Sequence, residues 1–272
     1  MSERINLACD LRVDIGDDGI AELVFGLAGG MPATDADGHA ALGTVWTQLA
    51  AGGNVRCVLV RSEGKGCCAD GSPDVVDGML GSEQTRLRIM REARAIVQGM
   101  IDCDLPIISA IKGAAVGAGA ARALLADISI AGRKAKIIDG HTKIGVAAGD
   151  HAARIWPLLC DMAKAKMHLL LCDATDGTKA ERIGLVSLVA EDDALPQTAR
   201  DIAGRLARGS ATALTFTMRS LNDWLRMAWP MFEHPLASEI LGFAGAAAPE
   251  CVAAVQSCRV PQFPSVTGSH HV

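Results

Sequence analysis

Apolar and polar positions alternate along two short runs between Leu11 and Phe25, separated by Gly16-Asp17-Asp18-Gly19. This spacing predicts a β-hairpin with the glycine-bounded turn at its tip. A helical pattern follows from about Asp37 to Ala50, and the β-rich run Val55 to Arg61 predicts a strand. Between Arg86 and Ile101, Leu87, Ile89, Met90, Ala93, Ile96, Val97 and Met100 recur at the spacing of one helical face. A strand is expected over Pro106 to Ile111, a helix over roughly Ala118 to Ala126, and a further strand over Ile128 to Ala131. Strands alternating with helices imply an α/β layer. After about Leu195 the strand pattern stops, and helices are expected over Thr198 to Arg208, Ala211 to Ala228 and Leu236 to Ala253. The expected organisation is a core over 1–195 and a helical C-terminal region with a tail over 196–272.

Composition narrows the function. Half of the 272 residues are apolar, yet only 3% are aromatic and none is tyrosine, so the core is built from Ala, Val, Leu and Ile. Few rings are available to stack on bases, and a net charge of −5 lacks the basic excess of a nucleic-acid binder. The N-terminal residues lack the pattern of a secretory signal, and no apolar run approaches membrane-spanning length. Nine cysteines without paired CxxC spacing are expected to be reduced, mostly buried thiols. A cytoplasmic protein with no membrane or nucleic-acid partner is the expectation. The terminal Gly268-Ser269-His270-His271 reads as a flexible tail rather than a metal site.

The segment Leu105 to Asp127, LPIISAIKGAAVGAGAARALLAD, carries a strand into Gly113 and opens a helix at Gly117-Ala118-Gly119. Small residues let another group approach the main chain, and N–H groups at a helix start favour negative charge. By itself such a turn serves either tight strand–helix packing or an anion such as an enolate oxygen. A second glycine turn, Gly64-Lys65-Gly66-Cys67-Cys68-Ala69-Asp70-Gly71, directly follows the strand VRCVLVR.

In order and spacing the two turns together resemble the crotonase (enoyl-CoA hydratase/isomerase) superfamily. GRKAKIIDGHTKIGVAAGD, KAERIGLVSLVAEDD, His39 in DGHAAL and LASEILGF also resemble it, so the likeness runs from about Leu11 to Pro264. It implies an α/β crotonase β-spiral, with repeated ββα units in stacked sheets and C-terminal helices used for trimer or hexamer assembly. It further implies an acyl-CoA substrate, as in fatty acid metabolism, with coenzyme A entering as part of the substrate and no resident cofactor or metal. The oxyanion-hole amides fall at Gly71 and Ala118, and CoA contacts at Lys65 and Ala69, with Arg86 a further phosphate candidate.

Departures from the family pattern bear on the reaction. The two glutamates that hydratases of this family use fall at Ala121 and His141, Cys67 stands for the usual Phe, Ser72 for the usual Asp, Pro32 for an early Asn, and Met218 for a C-terminal Lys. A remaining candidate is His141 with Asp150. Imidazole titrates near neutrality, and a carboxylate beside it fixes its tautomer. Alternatively, His141 is a loop histidine and Asp150 caps a following helix. The His-x8-Asp spacing with Trp156-Pro157 is similar to 6-oxocamphor hydrolase, a β-diketone C–C hydrolase, in which a C-terminal Glu assists; that Glu corresponds to Glu239, otherwise read as a solvated helix charge. Three functions stay open: acyl-CoA hydration or isomerisation through an enolate, C–C hydrolysis of a β-diketone, and non-catalytic acyl-CoA binding.

Overall fold

The computed structural model describes residues 3–8, 10–68, 71–149 and 151–263. The chain opens with β1 (Glu3–Ala8), β2 (Leu11–Ile15) and β3 (Ile20–Phe25), then α1 (Ala36–Leu42), α2 (Val45–Ala51) and β4 (Cys57–Ser62). Next come α3 (Pro73–Gly81), α4 (Glu83–Ile101), β5 (Ile107–Ile111), β6 (Ala114–Val116), α5 (Ala118–Leu125), β7 (Ile128–Gly132) and β8 (Lys136–Ile138). A 3₁₀ turn (His141–Ile144) precedes α6 (Ala152–Cys160), α7 (Met162–Leu171), β9 (Thr175–Asp176), α8 (Gly177–Arg182) and β10 (Leu188–Ala190). The remaining helices are α9 (Leu195–Ala207), α10 (Ala211–Met227), α11 (Pro230–Phe243) and α12 (Ala247–Gln256).

Seven strands form one sheet in the order β1-β2-β3-β4-β5-β7-β10, and β6-β8-β9 form a smaller one. The first three strands are an antiparallel meander, and from β3 onward every neighbour in the large sheet is parallel. Parallel strands need crossovers that cover both faces, so β5 (IISAI) is buried at every position. Side chains one apart point to opposite faces. Val58, Val60, Ile107 and Ile111 thus enter the main core with Trp46 and Trp156. Cys57, Leu59, Ile108 and Ile130 face the other way, onto Leu195, Ala199, Ala203 and Ala207 of α9. Those four α9 residues are spaced by four, a single helical stripe.

The predicted hairpin forms with Leu11 opposite Phe25. Two expectations need correction. The helix expected from Asp37 to Ala50 is two helices, broken at Gly43 and Thr44, where the Gly43 and Thr44 amides turn back onto the carbonyls of Ala40 and Ala41. The helix expected from Leu236 to Ala253 is likewise α11 and α12, set at 77° to each other across the Ala244–Ala246 break. The segment ahead of the hairpin adds β1. Among the described residues no single helix is long and apolar enough to cross a membrane. All eight described cysteines are unbridged, and seven are buried.

Candidate active site

The site is built where the first glycine turn lies against the second. The chain leaving β4 runs beside β6: the Cys67 amide donates to the Ala114 carbonyl (2.8 Å), and the Val116 amide donates to the Cys68 carbonyl (2.9 Å). Gly117 then takes φ 49°, a conformation costly for any residue with a Cβ, and starts α5. A Cβ on Gly119 would lie 2.6 Å from the Cys68 Cβ and 2.7 Å from its carbonyl oxygen, so only glycine lets the helix sit this close. Thr34 pairs with Gly71 in an isolated β-bridge, and the Ser72 amide donates to the Thr34 carbonyl (2.9 Å). Gly71 and the first turn of α5 thereby line one cavity.

That cavity is lined by Gly71, Ala118, Thr34, His39, Arg122, His141 and Glu239 against an apolar wall that includes Val75, Met79, Ile240 and Phe243. It encloses about 50 Å³. A smaller recess between His39, Ala118, Ala121, Arg122, His151 and Phe232 adjoins it.

His141 sits in the 3₁₀ turn after β8 and is 3% exposed, a buried group rather than a surface loop residue. Its Nδ1 lies 3.0 Å from Oδ1 of Asp139, which also accepts the His141 amide at 3.2 Å. An ionised carboxylate only accepts, so this contact holds the proton on Nδ1 and presents Nε2 to the cavity. On that side Oε1 of Glu239 stands 3.7 Å from Nε2, inside ion-pair range but longer than a hydrogen bond. Glu239 shares the buried face of α11 with Phe232, Leu236, Ile240 and Phe243, so it is not a solvated helix charge. Gly149 makes room for it: a Cβ there would lie 2.6 Å from the Glu239 Cβ and overlap its carboxylate.

His151 takes φ 59° at the N-cap of α6, and its Nε2 lies 2.8 Å from the Ala121 carbonyl. Such a left-handed conformation is uncommon outside glycine, and here it falls at the cavity edge. Asp150, the candidate partner of His141, lies outside the described residues, as do Ala69, Asp70 and the tail from residue 264.

His39 enters from α1, with Nδ1 2.7 Å from Oε2 of Glu92 on α4. Burial pushes the Glu92 carboxyl up, but the hydrogen bond and charge of His39, with the charge of Arg88, outweigh it and hold the group below the usual carboxylate range. Arg122 of α5 is 6% exposed and donates from Nη2 to the Thr34 hydroxyl and the Cys68 sulfur, each at 3.2 Å. Burial pushes the Cys67 thiol up to about 12, which leaves it protonated and unsuited to nucleophilic attack. Lys65 is exposed and does not line the cavity. The Arg86 guanidinium donates to the Met79 and Leu80 carbonyls, closing the end of α3. Among the described residues no group of three His, Cys, Asp or Glu side chains is placed to hold a metal.

The structure therefore brings together Gly71, Ala118, His141 and Glu239, four of the residues singled out in the sequence. It adds Asp139, Arg122 and Glu92, which sequence reasoning passed over, and pairs Glu92 with His39, which the sequence offered only as part of the family likeness. A signal existed for Arg122: it is the single charge in the helix AGAARALL. Asp139 stands two residues before His141, but its role depends on the tight turn between them.

The enoyl-CoA hydratase/isomerase family model matches residues 36–232. The chain is 28% identical over 187 residues to 1,2-epoxyphenylacetyl-CoA isomerase of Escherichia coli, covering 68% of this chain and 71% of that protein. It is 29% identical over 214 residues to a Rhodobacter capsulatus protein named "Probable enoyl-CoA hydratase", covering 78% and 82%. In three dimensions it is similar to an enoyl-CoA hydratase/isomerase from Mycobacterium paratuberculosis, with a TM-score of 0.86 and 24% identity over 92% of this chain and 99% of that one, a likeness of fold. The fold, the two glycine turns and these matches agree: the chain belongs to the enoyl-CoA hydratase/isomerase family of enzymes, within the crotonase superfamily.

Proposed function

We propose that this enzyme acts on an acyl-CoA whose thioester oxygen is held by the main-chain amides of Gly71 and Ala118 as it becomes an enolate, while His141 moves the proton. The observation that carries this reading is the convergence of Gly71, Ala118, His141 and Glu239 on one buried cavity. Donors aimed at developing charge are worth about 3–4 kcal/mol each in known oxyanion holes. Asp139 keeps the Nδ1 proton in place, so Nε2 is the basic atom. Glu239 stabilises the imidazolium that forms when Nε2 takes a proton. Ala121 cannot transfer a proton, so the reaction runs on this histidine-centred group rather than on paired glutamates.

A second reading is hydrolysis of a cyclic β-diketone, favoured by the placement of Glu239 beside His141. There His141 activates water for attack on one ketone, and the two amides hold the departing enolate. Incubation with short and aromatic enoyl-CoAs beside cyclic diketones, with products identified by mass spectrometry, separates the two. Turnover of diketones alone overturns the acyl-CoA reading.

Assembly as a homotrimer or homohexamer belongs to the same proposal. Phe216, Leu221, Trp224 and Met227 of α10 are each more than half exposed, as are Leu158, Met162, Leu170 and Leu171 on α6 and α7. Large exposed apolar surface of this kind marks interfaces.

A further inference from the structure

We infer that Arg122 is the receptor for a carboxylate on the acyl group, so that the preferred substrates are CoA thioesters of short dicarboxylic acids. This rests on the acyl-CoA reading above and names the substrate class for that site.

Arg122 is a cation in the wall of a mostly apolar cavity, and a guanidinium stays charged in a protein. It meets the Thr34 hydroxyl, the Cys68 sulfur, and the face of the Phe25 ring 5.1 Å from Cζ. Among the described residues no carboxylate pairs with it. The acidic groups around the cavity have other partners: Glu92 meets His39 and Arg88, Asp139 meets His141 Nδ1, and Glu239 stands 3.7 Å from His141 Nε2. A buried charge that lacks a counter-charge is costly, and the cost is recovered when an anion arrives. A planar guanidinium matches a carboxylate in two parallel bonds.

The geometry also sets where that anion sits. Arg122 lies one helical turn beyond Ala118, a rise of about 6 Å, and helical side chains lean back toward the N-terminus. Its contacts agree with that direction: Cys68 belongs to the first glycine turn, and Thr34 is the bridge partner of Gly71. The guanidinium therefore lies within a short acyl chain's reach of both amides proposed to hold the thioester oxygen. A longer, purely apolar chain would have to pass this charge and desolvate it without compensation.

The test compares glutaryl-CoA with pentanoyl-CoA, which have equal chain length and differ in carboxylate against methyl at the end, by calorimetric titration of the full chain. Glutaryl-CoA is expected to bind about tenfold tighter or better, the usual worth of a charge-assisted pair. In Arg122→Gln that preference should vanish while pentanoyl-CoA affinity stays within about threefold; Arg122→Lys should retain part of it. Equal or tighter binding of pentanoyl-CoA by the unaltered chain overturns the inference, as does a preference that persists in Arg122→Gln. Should Arg122→Gln lose its fold by circular dichroism, the unaltered chain and Arg122→Lys decide. If neither thioester binds at millimolar concentration, the acyl-CoA reading falls and takes this one with it. Binding without discrimination overturns only the carboxylate assignment.

Discussion

His141 Nδ1 lies 3.0 Å from Asp139 Oδ1, and because the same oxygen also accepts the His141 amide, ring and main chain are fixed by one carboxylate. Replacing Asp139 by Asn keeps the shape but lets the ring adopt the other tautomer. Turnover is expected to fall on the order of 10²–10⁴-fold with little change in KM, the worth of a positioned proton-transfer group. His141→Ala should cost a similar factor, and the double variant little more, because groups acting as a unit are not additive. Steady-state kinetics on a substrate that the unaltered chain converts checks this; full activity in Asp139→Asn removes Asp139 from the mechanism.

Gly119→Ala tests the contact between the turns. The new Cβ would meet the Cys68 Cβ and carbonyl at 2.6 and 2.7 Å, so one turn must move. A loss of about 1–3 kcal/mol in stability is expected, with a fall in kcat larger than the rise in KM. Chemical denaturation and kinetics together read both effects.

The His39–Glu92 pair gives stability a pH dependence. Since the Glu92 carboxyl is held below its usual range in the folded chain, its contribution is fully present above about pH 4.5 and is lost as pH falls through the lowered folded value. Glu92→Gln should therefore be less stable than the unaltered chain at pH 7, and the gap should narrow below pH 4.5. Urea melts at pH 7, 5 and 4 measure it; a gap that widens in acid contradicts the assignment.

Arg154 in α6 is 3% exposed, and none of its three guanidinium nitrogens has a hydrogen-bond partner among the described residues. Burial lowers it to about 10. Its compensation is the faces of Trp229 and Phe232, 5.4 and 5.2 Å from Cζ. Such stacking contributes about 1–2 kcal/mol, against about 1–3 kcal/mol for leaving buried donors unmet. Arg154→Met, which fills similar space, should be neutral or raise the melting temperature by a few degrees. A marked fall would show that the stacked cation outweighs its desolvation.

Assembly is checked by sedimentation. The chain should run as a trimer or hexamer at micromolar concentration, and Leu170→Glu or Trp224→Glu should lower the mass. A monodisperse monomer overturns the interface.

The elements legible in the sequence were those whose pattern is local. The hairpin at Gly16–Gly19, the single apolar face of α4 and the strand entering Gly113 all declare themselves within a dozen residues. Strands β6, β8 and β9 are two or three residues long and pair across 20 residues or more, so no period reveals them. The break at Gly43-Thr44 was hidden because the apolar stripe continues from Leu42 to Val45 and Trp46 on its far side. At the site, Gly71 and Ala118 were legible because close approach restricts residue type. Arg122 was not, because a charged side chain in a helix is ordinarily solvated, and only the fold shows that it faces inward.

The main-chain bonds that tie Cys67 and Cys68 to Ala114 and Val116 carry an evolutionary consequence. They depend on no side chain, so the spacing of the two glycine turns survives drift in the groups around it. Side chains around the cavity can be exchanged one at a time without breaking these bonds. A scaffold of that kind tolerates change in its cavity lining but not at position 119, where any side chain would collide with Cys68.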